Sequence, residues 1–269
     1  MPEHNTPDWA LILGASSGFG EACSLALAAA GFNIFGVHLD RQGTLPNVQR
    51  IKGEIEAAGR KAVFFNINAA DAEKRAVALN EMEKVITEEG QNAQIRVVLH
   101  SLAFGSLQDF IATDKKQELT QKQIEMTVDV MANSLVYWVQ DVARRNLIRE
   151  GGRIFAMTSS GSHRVIPKYG AVGGAKALLE AHIRQLAAEL APRGITANAL
   201  RGGVTNTPAL QKIPGNDKLL EHALNLNPSK RLTVPQDVAA ALVALTAPGT
   251  YWITGNVINV DGGEDIMAG

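Results

Sequence analysis

The sequence predicts a doubly wound α/β fold, one parallel sheet with helices on both faces, and three observations predict it. Short apolar runs of strand length alternate with helix-length stretches nearly throughout. A glycine-rich loop, GASSGFG at 14–20, lies between the first such run and the first helical stretch. The 269 residues, 46% of them hydrophobic, suffice for one large domain with a sizeable core. No linker, repeat or low-complexity tract divides them, so 1–269 is read as a single domain.

The elements follow in order. The first strand is WALIL, 9–13, running straight into the glycine loop; 21–30 then has helical composition and ends at Gly31, a suitable residue past a helix end. In that context Gly14, Ser16, Ser17, Gly18, Phe19 and Gly20 form a phosphate-binding turn: the glycines allow close backbone approach, and the helix start offers free N–H groups to a pyrophosphate. FNIFGVHL is the second strand. At its end either His38 and Arg41 face an adenosine 2′-phosphate, or Asp40 serves a 2′-hydroxyl, or all three are ordinary loop polar groups. A helix is expected over 48–58 and a strand over 61–67, with Asn66 and Ile67 where an adenine would lie.

A helical stretch over 69–89 leads to a fourth strand, 94–99, and then HSLAFGS. Ligands of an open parallel sheet lie beyond the carboxyl ends of its strands, which brings Ser101, Leu102 and Ala103 to the cofactor. His100 reads as a structural histidine, and the Tyr137–Trp138 pair, inside a helix expected over 125–148, as core or interface. The strand 152–157 ends in Thr-Ser-Ser-Gly, and a helix carrying Leu178, Leu179, Ile183, Leu186 and Leu190 follows. Between them stand Ser159, Tyr169 and Lys176. If all of 169–176 is helical, the phenol and the ammonium share a face over a rise of about 10.5 Å, with the lysine stem leaning back toward the tyrosine. The ammonium would then lower the phenol pKa, as a proton donor near neutrality requires. Gly173 and Gly174 would let a backbone or a cofactor come close.

A strand over 194–200 precedes RGGVTNTPAL. The polar segment 207–231, with one amphipathic piece KLLEHALNL, reads as a substrate lid or a surface excursion. A helix over 234–246, with Pro just inside its start, and a strand over 256–260 complete the chain.

Composition excludes several classes. Lys+Arg 26 against Asp+Glu 27 gives a net charge of −1 and no electrostatic case for nucleic acid or membrane surfaces. One cysteine, Cys23, leaves neither an internal disulfide nor a multi-cysteine metal site, and no metal is expected. The start, MPEHNTPDW, has neither the basic nor the apolar region of a signal peptide, and no apolar run is long enough to span a membrane, so a cytoplasmic protein is expected.

These motifs together resemble the short-chain dehydrogenase/reductases: GASSGFG after the first strand, TSS before Tyr169, NAL-x-GG-x-x-x-T at 198–207 and the terminal VDGG. The resemblance spans 9–263 and implies a Rossmann-type domain with a nicotinamide cofactor, usually as a homotetramer or homodimer. By the same resemblance Tyr169 donates the proton, Lys176 holds the nicotinamide ribose and lowers the tyrosine pKa, and Ser159 orients the substrate. Thr205 and Thr207 match positions that contact the carboxamide and a nearby phosphate. Two departures narrow the branch. The spacing Tyr-x6-Lys and HSLAF resemble the bacterial enoyl-acyl-carrier-protein reductases, whereas most of the family has Tyr-x3-Lys. The family's usual helix asparagine falls at Met131, with Asn133 two residues on. The ordinary glycine loop, Ser159 where the commonest enoyl reductases have a second tyrosine, and TNTPALQKIPGNDKLLEHA resemble the third, NADPH-preferring class; Ser17 stands where that class has a basic residue.

The resulting expectation is a homotetrameric reductase of a trans-2-enoyl thioester on acyl carrier protein, in fatty acid synthesis. NADPH is the expected cofactor and NADH the alternative. The rivals are a carbonyl reductase or alcohol dehydrogenase of the same family, and a nucleotide-binding protein that has lost turnover.

Overall fold

Each apolar run anticipated as a strand pairs in one sheet. The computed structural model describes residues 8–90 and 92–267; most of the polar opening segment lies outside them. The strands are β1 (Trp9–Leu13), β2 (Asn33–His38), β3 (Ala62–Asn66), β4 (Ile95–His100), β5 (Arg153–Thr158), β6 (Thr196–Gly202) and β7 (Val257–Val260). All seven are parallel, in the order β3-β2-β1-β4-β5-β6-β7. The order reverses between β1 and β4, and a crevice opens beyond their carboxyl ends.

Successive side chains of a strand face opposite ways, and β1 shows how this builds two cores. Trp9, Leu11 and Leu13 pack under α3 (Ala72–Glu89), α5 (Ser134–Arg144) and α6 (Gly170–Leu190). Ala10 and Ile12 pack under α1 (Gly18–Ala29), α2 (Leu45–Ala57) and α8 (Pro235–Ala244). Cys23 belongs to the second core, where burial pushes its thiol up to about 12 and leaves it unreactive.

Several boundaries differ from the sequence reading; α2 starts at Leu45 and α3 at Ala72, against the expected 48 and 69. Helix α1 starts at Gly18, inside the glycine loop, because the loop turns directly into the first helical residues. The long helix expected over 125–148 begins earlier, with α4 (Gln121–Val128). Thr120 and Gln123 form a reciprocal capping box there. A π-turn (Asp129–Asn133) then separates α4 from α5. The segment 207–231 carries α7 (Asn216–Leu226). Among the described residues no helix is long and apolar enough to cross a membrane, and no cluster of three or more His, Cys, Asp or Glu side chains is placed to hold a metal ion.

Candidate functional site

The glycine loop packs directly on the end of β4. Gly14 has φ 93°, and a Cβ there would lie 2.5 Å from the Ser101 carbonyl oxygen. A Cβ on Gly20 would lie 1.9 Å from the Gly14 oxygen. Neither position accepts a side chain. Ser17 precedes α1 without a side-chain cap, so its hydroxyl leaves the first-turn N–H groups unsatisfied. A helix start left open in this way attracts a pyrophosphate. The loop, the crevice and the buried Lys176 beyond it fit a dinucleotide.

Beyond the loop, one cavity brings together Phe19, Ser101, Leu102, Ala103, Ser159, Tyr169, Lys176, Thr205 and Thr207. The Ser159 hydroxyl lies 3.4 Å from the Tyr169 hydroxyl and accepts the Gly161 N–H at 3.1 Å. Tyr169 is the residue before α6 and not part of it. Tyr169, Val172 and Lys176 nonetheless line the same cavity. Lys176 is buried, donating to the carbonyls of Met157 at 2.7 Å and Leu102 at 3.4 Å. It therefore ties the ends of β5 and β4 to α6.

The expected depression of the tyrosine pKa is not found. Burial raises the Tyr169 phenol above its ordinary value, and the Ser159 hydrogen bond offsets part of that rise. Lys176 gives its protons to backbone carbonyls rather than to the phenol. Burial brings its own pKa down to about 8, against an opposing pull from Glu180. Gly173 answers the expectation of close approach, since a Cβ there would lie 2.4 Å from the Gly161 oxygen. Gly174 does not: the space beside it is open.

The adenosine end also differs. His38 is buried, with Nδ1 at 3.0 Å from Asp40 Oδ2, and Arg41 lies in an exposed turn. The cationic pair on which the NADPH expectation rested is not assembled. Asn66 turns its carboxamide to the Asp40 backbone instead of an adenine, accepting the Asp40 N–H at 2.9 Å and donating to its carbonyl at 3.0 Å. Ile67 packs partly against the core.

His100 is structural, fully buried with Nε2 at 2.8 Å from the Ser134 hydroxyl; burial, with Lys176 nearby, brings its pKa down to about 3. Met131 lines the cavity from the π-turn, while Asn133 faces His182 at 3.1 Å. Trp138 is core and Tyr137 donates to Asp129 at 2.8 Å. The sequence reading missed Leu107, Met157, Val172, Leu210, Ile213 and Leu219, which make the lining apolar. Val172 was within reach, lying three residues after Tyr169 and four before Lys176 on one helix face. The others come from separate parts of the chain: Met157 from β5, Leu219 from α7, and Leu107, Leu210 and Ile213 from the segments between elements.

Comparison with known proteins agrees with this geometry. The family model described as Enoyl-(Acyl carrier protein) reductase matches residues 14–264. The 1-cyclohexenylcarbonyl-CoA reductase of Streptomyces collinus is 29% identical over 260 residues, 96% of this chain and 87% of that protein. The NADH enoyl-acyl-carrier-protein reductase FabI of Escherichia coli K12 is 30% identical over 170 residues, and the match spans 63% of this chain and 64% of that one. The crystal structure of the NADH enoyl-acyl-carrier-protein reductase from Aquifex aeolicus VF5 shares the fold, with TM-score 0.82 at 23% identity over 98% of both chains. With the glycine loop, the parallel sheet and the Ser159–Tyr169–Lys176 cavity in place, the chain belongs to the short-chain dehydrogenase/reductase family of oxidoreductases, in its enoyl-acyl-carrier-protein reductase branch.

Proposed function

We propose that the protein reduces the C=C bond of a trans-2-enoyl thioester carried on acyl carrier protein, in fatty acid synthesis. The observation that carries this reading is a hydroxyl pair, Tyr169 with Ser159, set in a cavity lined by apolar and hydroxyl side chains, with Lys176 and Lys212 as the charged lining among the described residues. Such a lining suits a neutral acyl chain and offers no carboxylate to a polyol or an amine.

When bound, the reduced nicotinamide supplies the hydride, which goes to the β-carbon of the enoyl group. The glycine loop and the start of α1 would hold its pyrophosphate, Thr205 and Thr207 its carboxamide end, and the Lys176 ammonium its ribose. Tyr169, protonated at neutral pH, donates a hydrogen bond to the thioester oxygen as enolate charge gathers there, an oxyanion-type stabilisation. Ser159 fixes the phenol and shares that oxygen. A proton from solvent then reaches the α-carbon and completes the saturated thioester. Met131 favours this order of events: a ketone reductase must resupply its tyrosine with a proton each turnover, and an apolar side chain carries no relay.

Residues 207–231 act as the lid, with Leu210, Ile213 and Leu219 on the cavity side. We place the protein in the cytoplasm as a homotetramer. The test is cofactor oxidation with crotonyl and acetoacetyl thioesters side by side, on carrier protein and on coenzyme A. Rapid turnover of crotonyl-carrier protein with little of the ketone is expected. Reduction of the ketone alone would leave the carbonyl-reductase reading in its place.

A further inference from the structure

We propose that Glu264, in the C-terminal turn, is a positioning residue: through the Val204 backbone it sets the 203–207 segment for the nicotinamide end of the dinucleotide. The inference rests on the reading of the chain as a dinucleotide-dependent reductase and adds a residue from outside the cavity lining.

The segment that follows β6 supplies Gly203, Val204, Thr205 and Thr207 to the cavity. Its side-chain bonds are local. Thr205 Oγ1 donates to the Gly203 carbonyl at 2.9 Å, and Thr207 Oγ1 accepts the Leu210 N–H at 3.2 Å. Glu264, 60 residues further on from Val204, ties the segment to the end of the fold. Its buried carboxylate accepts the Val204 N–H with both oxygens, at 3.1 and 3.2 Å. The same carboxylate closes on the chain one residue earlier, since a Cβ on Gly203 would lie 2.9 Å from Oε2. A shift of the carboxylate therefore moves the backbone between β6 and Thr205.

The turn that carries Glu264 is itself braced. Buried Asp261 accepts the N–H groups of Gly263 and Asp265, both at 2.9 Å, and its carbonyl accepts Asn227 Nδ2 at 2.8 Å. Asp265 Oδ2 meets Arg201 Nη1 at 3.0 Å and His163 Nε2 at 3.2 Å, and Oδ1 meets Arg164 Nε at 3.1 Å. Arg201 reaches on to Glu180 at 3.2 Å, whose carboxylate accepts the Thr158 hydroxyl at 2.6 Å. The turn is thus fixed to β6, to α6 and to the loop that follows Ser159, and Glu264 extends that frame to Val204. Burial raises the Glu264 pKa and the Val204 N–H opposes the rise; Asp261 and Asp265 add to it, and Arg164 offsets it. The bond to Val204 is therefore kept against an electrostatic cost that an apolar side chain would not carry.

Binding tests this without any acyl substrate. The full-length protein is titrated by calorimetry with NADH, NADPH and ADP-ribose, the last of which lacks the nicotinamide. Glu264→Ala removes the acceptor and Glu264→Asp withdraws it by one methylene; each is checked for folding by circular dichroism. In Glu264→Ala, affinity for whichever dinucleotide the wild type binds more tightly should fall about tenfold, the scale of one hydrogen bond to a charged group. Its ADP-ribose affinity should stay within about threefold of wild type. Glu264→Asp should show the same selective loss, and it carries the test alone if the alanine variant does not fold. Glu264→Gln keeps an acceptor oxygen and should hold dinucleotide affinity within about threefold of wild type. Equal weakening of ADP-ribose and dinucleotide would mark general support of the fold and overturn the positioning role, as would unchanged dinucleotide affinity in the folded Ala and Asp variants. A loss in Glu264→Gln as large as in Glu264→Ala would overturn the Val204 bond as its route. If the wild type binds neither NADH nor NADPH, the dinucleotide-dependent reading falls and this inference with it. A selective loss in a protein that reduces no enoyl thioester would leave the inference standing and remove only the proposed substrate.

Discussion

Burial acts on the two titrating side chains of this site in opposite directions. It keeps the Tyr169 phenol protonated above its ordinary range and makes the Lys176 ammonium easier to deprotonate, near pH 8. Tyr169→Phe removes the donor while keeping the ring, and turnover should fall about two to four orders of magnitude in steady-state assays. The alkaline limb of the wild-type profile should come from Lys176, with activity declining above about pH 8. Lys176→Met should abolish that limb and weaken dinucleotide binding. A limb unchanged in that variant would assign it to another group. Stability has its own sign. The folded lysine loses its proton near 8 and the unfolded one near 10.5, so between them the unfolded chain binds more protons and stability rises with pH. Lys176→Met should flatten that rise in urea titrations. That Ser159, Tyr169 and Lys176 share one cavity was legible from their order in the chain together with the glycine loop at its other end. The direction of the tyrosine shift was not, because it depends on which acceptors the ammonium meets, and those are carbonyls from two distant strand ends. The clamp between Asn66 and Asp40 was hidden for the same reason: 26 residues separate its partners.

At the scale of elements, α6 contains an internal control. Gly173 and Gly174 are adjacent in sequence, yet a Cβ at the first meets a carbonyl at 2.4 Å and at the second meets open space. Gly173→Ala should cost roughly 1–3 kcal/mol by overpacking and reduce turnover by shifting the 160–162 turn. Gly174→Ala should raise stability by about 0.5–1 kcal/mol, the ordinary gain of alanine over glycine in a helix. Denaturant midpoints of the two variants should move in opposite directions. The strands were readable because each is an apolar run with a polar or glycine boundary. The start of α4 was also written in the sequence, as Thr120-x-x-Gln123, although the apolar pattern alone suggests a later start. The π-turn at Asp129–Asn133 was not readable, since no turn or breaker residue marks it within DVMAN.

For the whole molecule, the alternation of strand and helix was enough to anticipate one parallel sheet, because a parallel connection needs a crossover helix and buries both sheet faces. The strand order itself had to come from pairing. Assembly lies beyond a single chain, and the homotetramer proposed here predicts a light-scattering mass of about four times 28.7 kDa. A mass near that of one chain would remove that proposal while leaving the active-site reading in place.

The Gly161 carbonyl resting on α6 bears on why the tyrosine and lysine are spaced as they are. In the family's common arrangement the lysine stands four residues after the tyrosine, which here is the position of Gly173. No lysine fits there while a backbone oxygen lies 2.4 Å from where its Cβ would be. The next site on the same helix face is about one turn further on, and Lys176 occupies it. The backbone contact that excludes an amine at 173 is thus also the surface on which the Tyr169 ring rests, so one turn of chain bounds the placing of both reactive side chains. Moving the amine back, by Gly173→Lys combined with Lys176→Gly, should yield an inert protein rather than one with the common spacing restored.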